Sequence, residues 1–375
     1  MSKKVKFIGL DVHKNSISIG IADQSRDGEV RYYGQISNDM NEVSRVFRKI
    51  IAQGFELKCV YEAGGCGYYL YRYLTHNGID CTVVAPSKIP RKSGDRQKND
   101  KRDCLNLARL HRAGELTSVY VPNEEDEALR DLVRARSDSQ NAHKKAKQQL
   151  GAFLLRYQII FSGTSKWSKA YFNWLSTLSL PHPAQQITLQ EYIDTVNTCK
   201  DRVERLTKQI KILSEQSRLS ELIKSLQAMR GISLITAATL AAELGDFHRF
   251  EHPGQLMAYL GLIPSEHTSG DKHRKGPITK TGNSHVRRAL VESAQSYRLP
   301  ARKSTAIMQR QEGVARTICD IAWKAQLRLC GRYRRLFNRG EENKCCQNSN
   351  STGTCRIYLG NRQTAFLRSL TEEIM

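Results

Sequence analysis

Four acidic residues have types and positions suited to holding a divalent metal. Asp11 and Glu62 end the apolar segments "KFIGLDV" and "LKCVYE", and Asp100 and Asp103 lie three residues apart in "KNDKRDCLNLARL". Carboxylates that share a site repel one another unless hard cations neutralise them. Two Mg2+ ions ~3.5–4 Å apart would activate a nucleophile and stabilise a leaving oxygen in phosphoryl transfer. The acids therefore predict a magnesium-dependent phosphoryl-transfer site.

Each acid also has a simpler interpretation. Asp103 is placed to cap a helix that begins near it, and the strand-end acids could be caps as well. An isolated pair of aspartates among basic residues usually forms surface salt bridges. The basic residues around this pair are Arg91, Lys92, Arg96, Lys98, Lys101 and Arg102.

The order of the predicted elements favours a joint role for the acids. Alternating or short apolar segments predict three strands, a helix, a strand, a helix, a strand and a final helix. The acids fall at the end of the first strand, the end of the fourth strand and the start of the last helix. This order matches the ribonuclease-H-like fold of the RuvC type, in which strand ends on one sheet edge bring distant acids together.

Composition indicates a nucleic-acid partner. The 375 residues include 59 Lys and Arg against 37 Asp and Glu, a formal net charge of +22. Such an excess favours a polyanionic partner, either nucleic acid or a membrane surface. No apolar run approaches ~18–20 residues, and the start lacks the apolar core of a signal peptide, so we expect a cytoplasmic protein without a membrane partner. The ten cysteines show no C-x-x-C spacing, which predicts free thiols and no structural zinc.

The middle of the chain carries a heptad pattern. Apolar residues from Leu189 to Leu213 recur in alternating steps of three and four, as in a coiled-coil seam. An earlier helical segment, residues 124–157, is strongly basic in its middle. The seam fits an intramolecular helical hairpin and a dimerising coiled coil equally well.

Two features of the last third could contact DNA. Gly231 lies in a turn before an apolar helix predicted for residues 236–244, an arrangement that resembles a helix-hairpin-helix presenting backbone N–H groups to a phosphate. Ser269 lies at a predicted loop tip, and a serine attacks phosphate only when it is activated and the phosphate charge is neutralised. A solvated turn serine is the simpler alternative. The cations and histidine that follow it are Lys272, His273, Arg274 and Lys275.

A set of motifs in fixed order resembles the IS110 (IS-one-ten) family of insertion-sequence transposases. The motifs are "GLDVHK", "YEAGGCGYYL", "KNDKRDCLNLARL", "GISLITAATLAAELGDFHRF" and "YLGLIPSEHTSG", followed by "GPITKTGN" and "RRAL". The resemblance spans roughly residues 5–340. It implies a RuvC-like DEDD domain at residues 1–122, a helical coiled-coil linker at 123–222, and a mainly helical transposase domain with the helix-hairpin-helix and a serine at 223–340. Residues 341–375 form an atypical tail.

The resemblance also implies the site and the activity. Asp11, Glu62, Asp100 and Asp103 match the metal-binding tetrad. Ser269 matches the serine that links covalently to DNA phosphate, with Ser265 and Thr268 as rivals. The activity implied is Mg2+-dependent DNA strand cleavage and exchange, guided by a structured bridge RNA. The protein would act on element ends and target DNA as a homo-oligomer, a dimer or tetramer, near the prokaryotic nucleoid. Nucleic-acid contacts are expected at Gly231, Lys272, Arg274, Lys275, Lys280, Arg287 and Arg288.

Two other functions remain open at this point. One is a RuvC-like structure-specific DNA nuclease that uses water as the nucleophile and gives Ser269 no role. The other is a catalytically inactive nucleic-acid-binding relative. Loss of activity in a Ser269→Ala protein would separate the recombinase from the nuclease, and magnesium-dependent strand cleavage would separate both from the inactive relative.

The tail departs from the family. The family usually ends with an apolar helix of the type "AIARELAGFIWAIG", whereas this chain has "CQNSNSTGTCRIYLGNR" from Cys346. One permitted set of codons for that stretch, read one base later, encodes "VKTAIARELAGFIWAI". We therefore interpret the tail as a frame-shifted ending, which the nucleotide sequence of the gene tests.

Overall fold

The computed structural model describes residues 4–90, 99–270, 272–336 and 338, with the backbone alone at residues 267, 272, 273, 275 and 336. The basic residues Arg91, Lys92, Arg96 and Lys98 and the tail at 341–375 lie outside the described residues. The chain divides into two compact units, Met1–Pro122 and Asn123–Met375. The first is mixed α/β and the second mostly helical, as the sequence predicts.

The first unit is built on a five-stranded mixed sheet of order β3-β2-β1-β4-β5. Strands β1 (Lys4–Val12), β2 (Ser16–Asp23) and β3 (Val30–Ser37) form the predicted antiparallel meander. Strands β4 (Phe55–Glu62) and β5 (Asp80–Val84) add in parallel. The α-helices in the described part of this unit are α1 (Met40–Ala52), α2 (Tyr69–His76) and α3 (Asp100–Ala113), and a short 3-10 helix spans Pro86–Lys88.

Two glycines let α3 lie directly on the sheet. A Cβ added at Gly9 of β1 would lie 2.1 Å from the Cys104 carbonyl oxygen, and one at Gly20 of β2 would lie 2.7 Å from the same oxygen. Neither distance leaves room for a side chain, so only glycine allows this approach. The first turn of α3 is thereby held close to the end of β1.

The second unit begins with a pair of long helices. Helices α4 (Glu124–Arg156) and α6 (Pro183–Gln216) are joined through α5 (Lys169–Ser176). The heptad seam of α6 packs against α4 of the same chain, with Leu189, Val196, Val203 and Ile210 buried. Leu213 is 44% exposed, so the seam ends before the predicted last position. The structure uses this seam for an intramolecular helical hairpin.

The glycine and serines of the stretch "SGTSKWSKAYFNW" predict a turn region, but the structure forms helix α5 over its second half. Ser168 caps the helix by accepting a hydrogen bond from the Tyr171 backbone N–H at 3.2 Å. The ring of Tyr171 then packs against the rings of both Trp167 and Trp174. Glycine and serine dominate only the start of the segment, and aromatic packing decides the rest.

The remainder of the described second unit consists of further helices and one strand hairpin. Helices α7 (Ser220–Gln227), α8 (Leu234–Leu244) and α9 (Pro253–Tyr259) precede the strands β6 (Pro264–Ser269) and β7 (Lys272–Ile278). Helices α10 (Ser284–Ala294), α11 (Thr305–Gln311) and α12 (Arg316–Leu336) follow. Helix α8 starts two residues before the predicted 236, and the hairpin is a strand pair that the sequence reading did not predict. None of the described helices is long and apolar enough to cross a membrane.

Candidate functional site

The sheet brings two of the predicted acids to one edge. In the parallel pair β1–β4, Leu10 lies opposite Tyr61. Asp11 and Glu62 are the next residues of their strands, so both lie at the same carboxyl-terminal edge of the sheet. This is the edge at which open α/β sheets place ligands.

Helix α3 supplies the other two acids. Its N-cap is Asn99, whose side-chain oxygen accepts a hydrogen bond from the Lys101 backbone N–H at 2.9 Å. The expectation that Asp103 caps this helix is therefore wrong. Asp100 and Asp103 lie in the first turn, and a capping role does not occupy their carboxylates.

A histidine joins the acids. Asp11, His13 and Asp100 each offer a ligand atom within 4.8 Å of the other two. The His13 Nε2 atom lies 3.3 Å from an Asp11 carboxylate oxygen and 3.6 Å from one of Asp100. Glu62 and Asp103 are not part of this group in the segments that the structure describes. The sequence signal for His13 was its position two residues after Asp11 in "GLDVHK", but it was not proposed as a site residue.

The electrostatics of Asp11 reflect this crowding. Burial raises the pKa of Asp11 above its usual range, His13 lowers it, and the negative charges of Asp100 and Asp103 raise it further. A carboxylate in this setting is stabilised by a nearby cation. The donor set of two carboxylates and an imidazole fits a divalent metal, and the remaining acids at this edge could complete its coordination.

Ser269 is exposed at the tip of the β6–β7 hairpin, as the loop-tip prediction required. It ends β6 opposite Lys272, immediately before Gly270, whose φ is +56°. The rival Ser265 is half-buried, and a Cβ added at Gly276 would lie 2.4 Å from its Oγ atom. Thr268 is exposed beside Ser269. Exposure therefore favours Ser269 over Ser265 as a group that a DNA phosphate can reach.

The predicted nucleic-acid-binding residues have different surroundings. Lys280 and Arg288 line a groove of the second unit, and Arg274 is exposed on β7. Arg287 lines the same groove but donates hydrogen bonds to the Leu260 and Thr281 carbonyl oxygens, both at 2.8 Å. The side chains of Lys272 and Lys275 lie outside the described residues.

The backbone geometry and close packing at position 231 explain why a glycine is needed there. Its φ is +83°, and an added Cβ would lie 2.4 Å from Ser296 Oγ and 2.5 Å from the Ser293 carbonyl oxygen. The turn before α8 therefore packs too closely for any other residue. Its contact with a DNA phosphate stays a prediction.

Comparison with known proteins identifies the class. Residues 8–159 match a family model of DEDD transposases described as "Transposase", and residues 223–307 match the "Transposase IS116/IS110/IS902 family". The chain is 44% identical over 336 residues to "Putative transposase y4qE" of Sinorhizobium fredii, covering 90% of this chain and 83% of that protein. These matches make the chain a transposase of an insertion sequence.

Two further relatives narrow the class. The transposase for insertion sequence element IS1533 of Leptospira borgpetersenii is 32% identical, with 90% of this chain and 97% of that protein covered. The transposase for IS1111A of Coxiella burnetii is 23% identical, with 78% of each chain covered. The chain belongs to the IS110 family, and the resemblance carried by its motifs is confirmed.

Proposed function

We propose that this transposase cleaves and exchanges DNA strands through a Ser269–phosphate intermediate, with Mg2+ held by Asp11, Glu62, Asp100 and Asp103. The observation that carries the metal part is the convergence of Asp11 and Asp100 with His13 at the end of β1. We also propose that the first unit has the RuvC-type ribonuclease-H-like fold, since its strand order and acid positions match that fold. The division into three domains at residues 1–122, 123–222 and 223–340, followed by a tail at 341–375, is part of the same proposal.

The residues have distinct tasks in this scheme. A bound divalent metal would activate the attacking oxygen and offset charge on the phosphate. Asp11, Glu62, Asp100 and Asp103 would hold it, and His13 lies beside the carboxylates of Asp11 and Asp100 and would orient them. Ser269 presents its Oγ atom to the phosphorus. The Oγ–P bond forms, the bond from phosphorus to a deoxyribose oxygen breaks, the serine proton leaves to water, and the released oxygen takes up a proton.

The proposed partners are DNA, a structured guide RNA and further copies of the chain in a dimer or tetramer. The net charge of +22 supports polyanion binding. RNA that copurifies with the chain should map beside the gene if the guide is encoded there. Copurified RNA of random origin would contradict the guide but leave the transposase activity unaffected.

A RuvC-like structure-specific nuclease is the second candidate. The observation in its favour is that Asp11, His13 and Asp100 all belong to the first unit, so hydrolysis by water needs no residue of the second. The nuclease would cleave DNA normally after Ser269→Ala.

Trapping an adduct tests the serine. Full-length protein is incubated with labelled element-end DNA and Mg2+ and then denatured. We expect a protein–DNA adduct whose phosphate maps to Ser269 by mass spectrometry. Ser265→Ala is the matched control and should retain the adduct, and Thr268→Ala should also retain it. An adduct in the Ser269→Ala protein, or a phosphate mapped to Ser265, would overturn the assignment.

The metal ligands are tested separately. Asp11→Asn and Glu62→Gln should each abolish strand exchange while the circular dichroism spectrum is unchanged, because each removes a charged oxygen ligand from the metal. Calorimetry with Mg2+ and with Mn2+ should show the same loss of binding. Full activity in either variant would remove the metal-site proposal.

A further inference from the structure

A basic groove runs between three helices of the second unit. It has a volume of about 930 Å3 and is lined by residues 133–147 of α4, residues 235–239 of α8 and residues 284–292 of α10, together with Ile278 and Lys280. Glu292 is the one acidic side chain among its described lining residues. The cations that line it are Arg136, Lys144, Lys147, Lys280, Arg287 and Arg288.

Part of this positive charge has no acidic partner among the residues that the structure describes. Lys144 and Lys280 are exposed and form no ion pair in the described parts of the chain. Arg288 donates a hydrogen bond to Ser137 Oγ at 2.6 Å, and its Nε lies 3.9 Å from Glu292. Burial and the charge of Lys200 lower the pKa of Lys147. Positive charges gathered in a concave site attract an extended anion.

A buried histidine gives an independent indication of a ligand. His143 lines the groove and is only 8% exposed. Its Nε2 atom has no hydrogen-bond partner among the described residues. Burial, Lys147 and Lys200 lower the pKa of His143, so the ring is neutral near pH 7. Buried polar atoms without a protein partner often bind a ligand or water.

The groove walls are fixed before any ligand arrives. The buried carboxylate of Glu243 on α8 accepts hydrogen bonds from Arg134 Nε and Nη2 at 2.7 and 2.8 Å, and from Asn283 Nδ2 at 2.7 Å. Arg134 belongs to α4, and Asn283 caps α10. One carboxylate therefore ties together the three helices that form the groove, and such preorganisation favours binding.

We propose that this groove binds the sugar–phosphate backbone of DNA. The 14 helical steps from residue 133 to 147 span about 21 Å, which is about six base-pair steps of a duplex. Hydroxyl groups of Ser137, Thr236 and Ser284 also line the groove and can donate to phosphate oxygens. The inference rests on the proposed function for its partner, DNA, but not on Ser269 as nucleophile.

Binding without chemistry tests the groove. The full chain is titrated into a labelled mixed-sequence DNA duplex without divalent metal, at several salt concentrations. At 0.1 M salt each lost phosphate contact should weaken binding about eightfold and reduce the log–log salt slope by about 0.9. A protein with both Lys144→Ala and Lys280→Ala should thus bind about sixtyfold more weakly. Lys211→Ala is the matched control, because Lys211 is exposed on α6 and does not line the groove.

The affinities of the groove variants and of the control variant decide whether the groove binds DNA. Weaker binding in the groove variants, with wild-type affinity in the Lys211→Ala control, supports the assignment. Unchanged affinity and salt slope in the groove variants would overturn it, as would an equal loss in the control. A matched RNA duplex is the second arm, and groove variants that lose RNA affinity but keep DNA affinity would overturn the choice of DNA. Failure of the Ser269 adduct assay alters none of these readings, because no strand is cleaved here.

Discussion

The carboxylate of Glu243 should stabilise the second unit more than any single surface ion pair. Its side chain is 1% exposed and that of Arg134 is 40% exposed. Burial raises the pKa of Glu243, but the hydrogen bonds from Arg134 and Asn283 and the nearby positive charges outweigh it, so the pKa is lowered overall. Breaking one side of a buried pair destabilises a protein by about 3–5 kcal/mol.

The two sides of this pair should differ in a defined direction. Glu243→Ala leaves Arg134, which is exposed enough to regain water, so we expect a loss near the lower end, about 3 kcal/mol. Arg134→Ala leaves a buried carboxylate with one neutral donor, Asn283, so at pH 7 we expect a loss near the upper end, about 5 kcal/mol. We therefore expect the Arg134→Ala protein to be less stable than the Glu243→Ala protein at pH 7.

The pH dependence follows from the sign of each pKa shift. In the wild type the folded-state pKa of Glu243 is lowered, so its stabilisation is present above the unfolded pKa of about 4.3 and is lost as the pH falls through the folded value. In Arg134→Ala, burial raises the folded-state pKa of Glu243 instead. That variant should therefore lose less stability at pH 5 than at pH 7, whereas Glu243→Ala has no carboxyl to titrate.

Urea unfolding followed by tryptophan fluorescence measures this cleanly. All three tryptophans, Trp167, Trp174 and Trp323, belong to the second unit, so the signal reports that unit alone. A loss of 3 kcal/mol shifts the midpoint by about 1–1.5 M at a slope of about 2–3 kcal/mol/M. Glu221→Ala is the control, since its pair with Lys224 is exposed and should change stability by less than about 0.5 kcal/mol. Losses below 1 kcal/mol in both core variants, or the reverse order at pH 7, would refute the reasoning.

Three further predictions test the first unit and the charge. Gly9→Ala should displace α3, because the new Cβ would meet the Cys104 carbonyl oxygen at 2.1 Å. Hydrogen exchange in α3 should then accelerate and divalent-metal binding should weaken. Unchanged hydrogen exchange in α3 would contradict the close approach. Asp100→Asn and Asp103→Asn should each abolish metal-dependent strand exchange with the fold intact, and retained activity in both would exclude α3 from the metal site. Affinity for DNA and for RNA should fall steeply with salt, and a flat log–log plot would contradict binding through the basic surface.

The sequence predicts the elements of the first unit well because periodicity and acid positions are local signals. The alternating isoleucines Ile17, Ile19 and Ile21 of β2 predict a strand that is buried on one face only. The structure buries the residues between them as well, including Ser18 and Ala22, because α3 covers the other face of this strand. The meander followed by two parallel strands also agrees with the predicted order. Helix starts were less accurate, because Asn99 rather than Asp103 caps α3. Several residues near a helix start have side chains that can cap, and tertiary packing selects among them.

The second unit was predicted less completely. The sequence predicts the heptad seam of α6 but not the helix against which it packs. A seam of this spacing fits α4 of the same chain and a helix of another chain equally well. Glu243 accepts hydrogen bonds from Asn283 and Arg134, which are 40 and 109 positions away in the sequence. No local periodicity predicts contacts over such separations. The β6–β7 hairpin carries polar residues such as His267 and Lys272, so its strands lack an apolar alternation.

The two glycines Gly9 and Gly20 explain how the acid at the start of α3 reaches the acids at the strand ends. Strand ends place Asp11 and Glu62 at one edge by topology alone, and that edge follows from the predicted strand order. Asp100 reaches Asp11 only because Gly9 and Gly20 remove the side chains that would hold α3 away from the sheet. The same approach brings Asp100 within reach of His13, so a histidine that reads as a turn residue in the sequence becomes a neighbour of two carboxylates. The proposed metal site therefore depends on glycine at positions 9 and 20 as well as on its ligands. For this reason Gly9→Ala tests the proposed site as well as the fold.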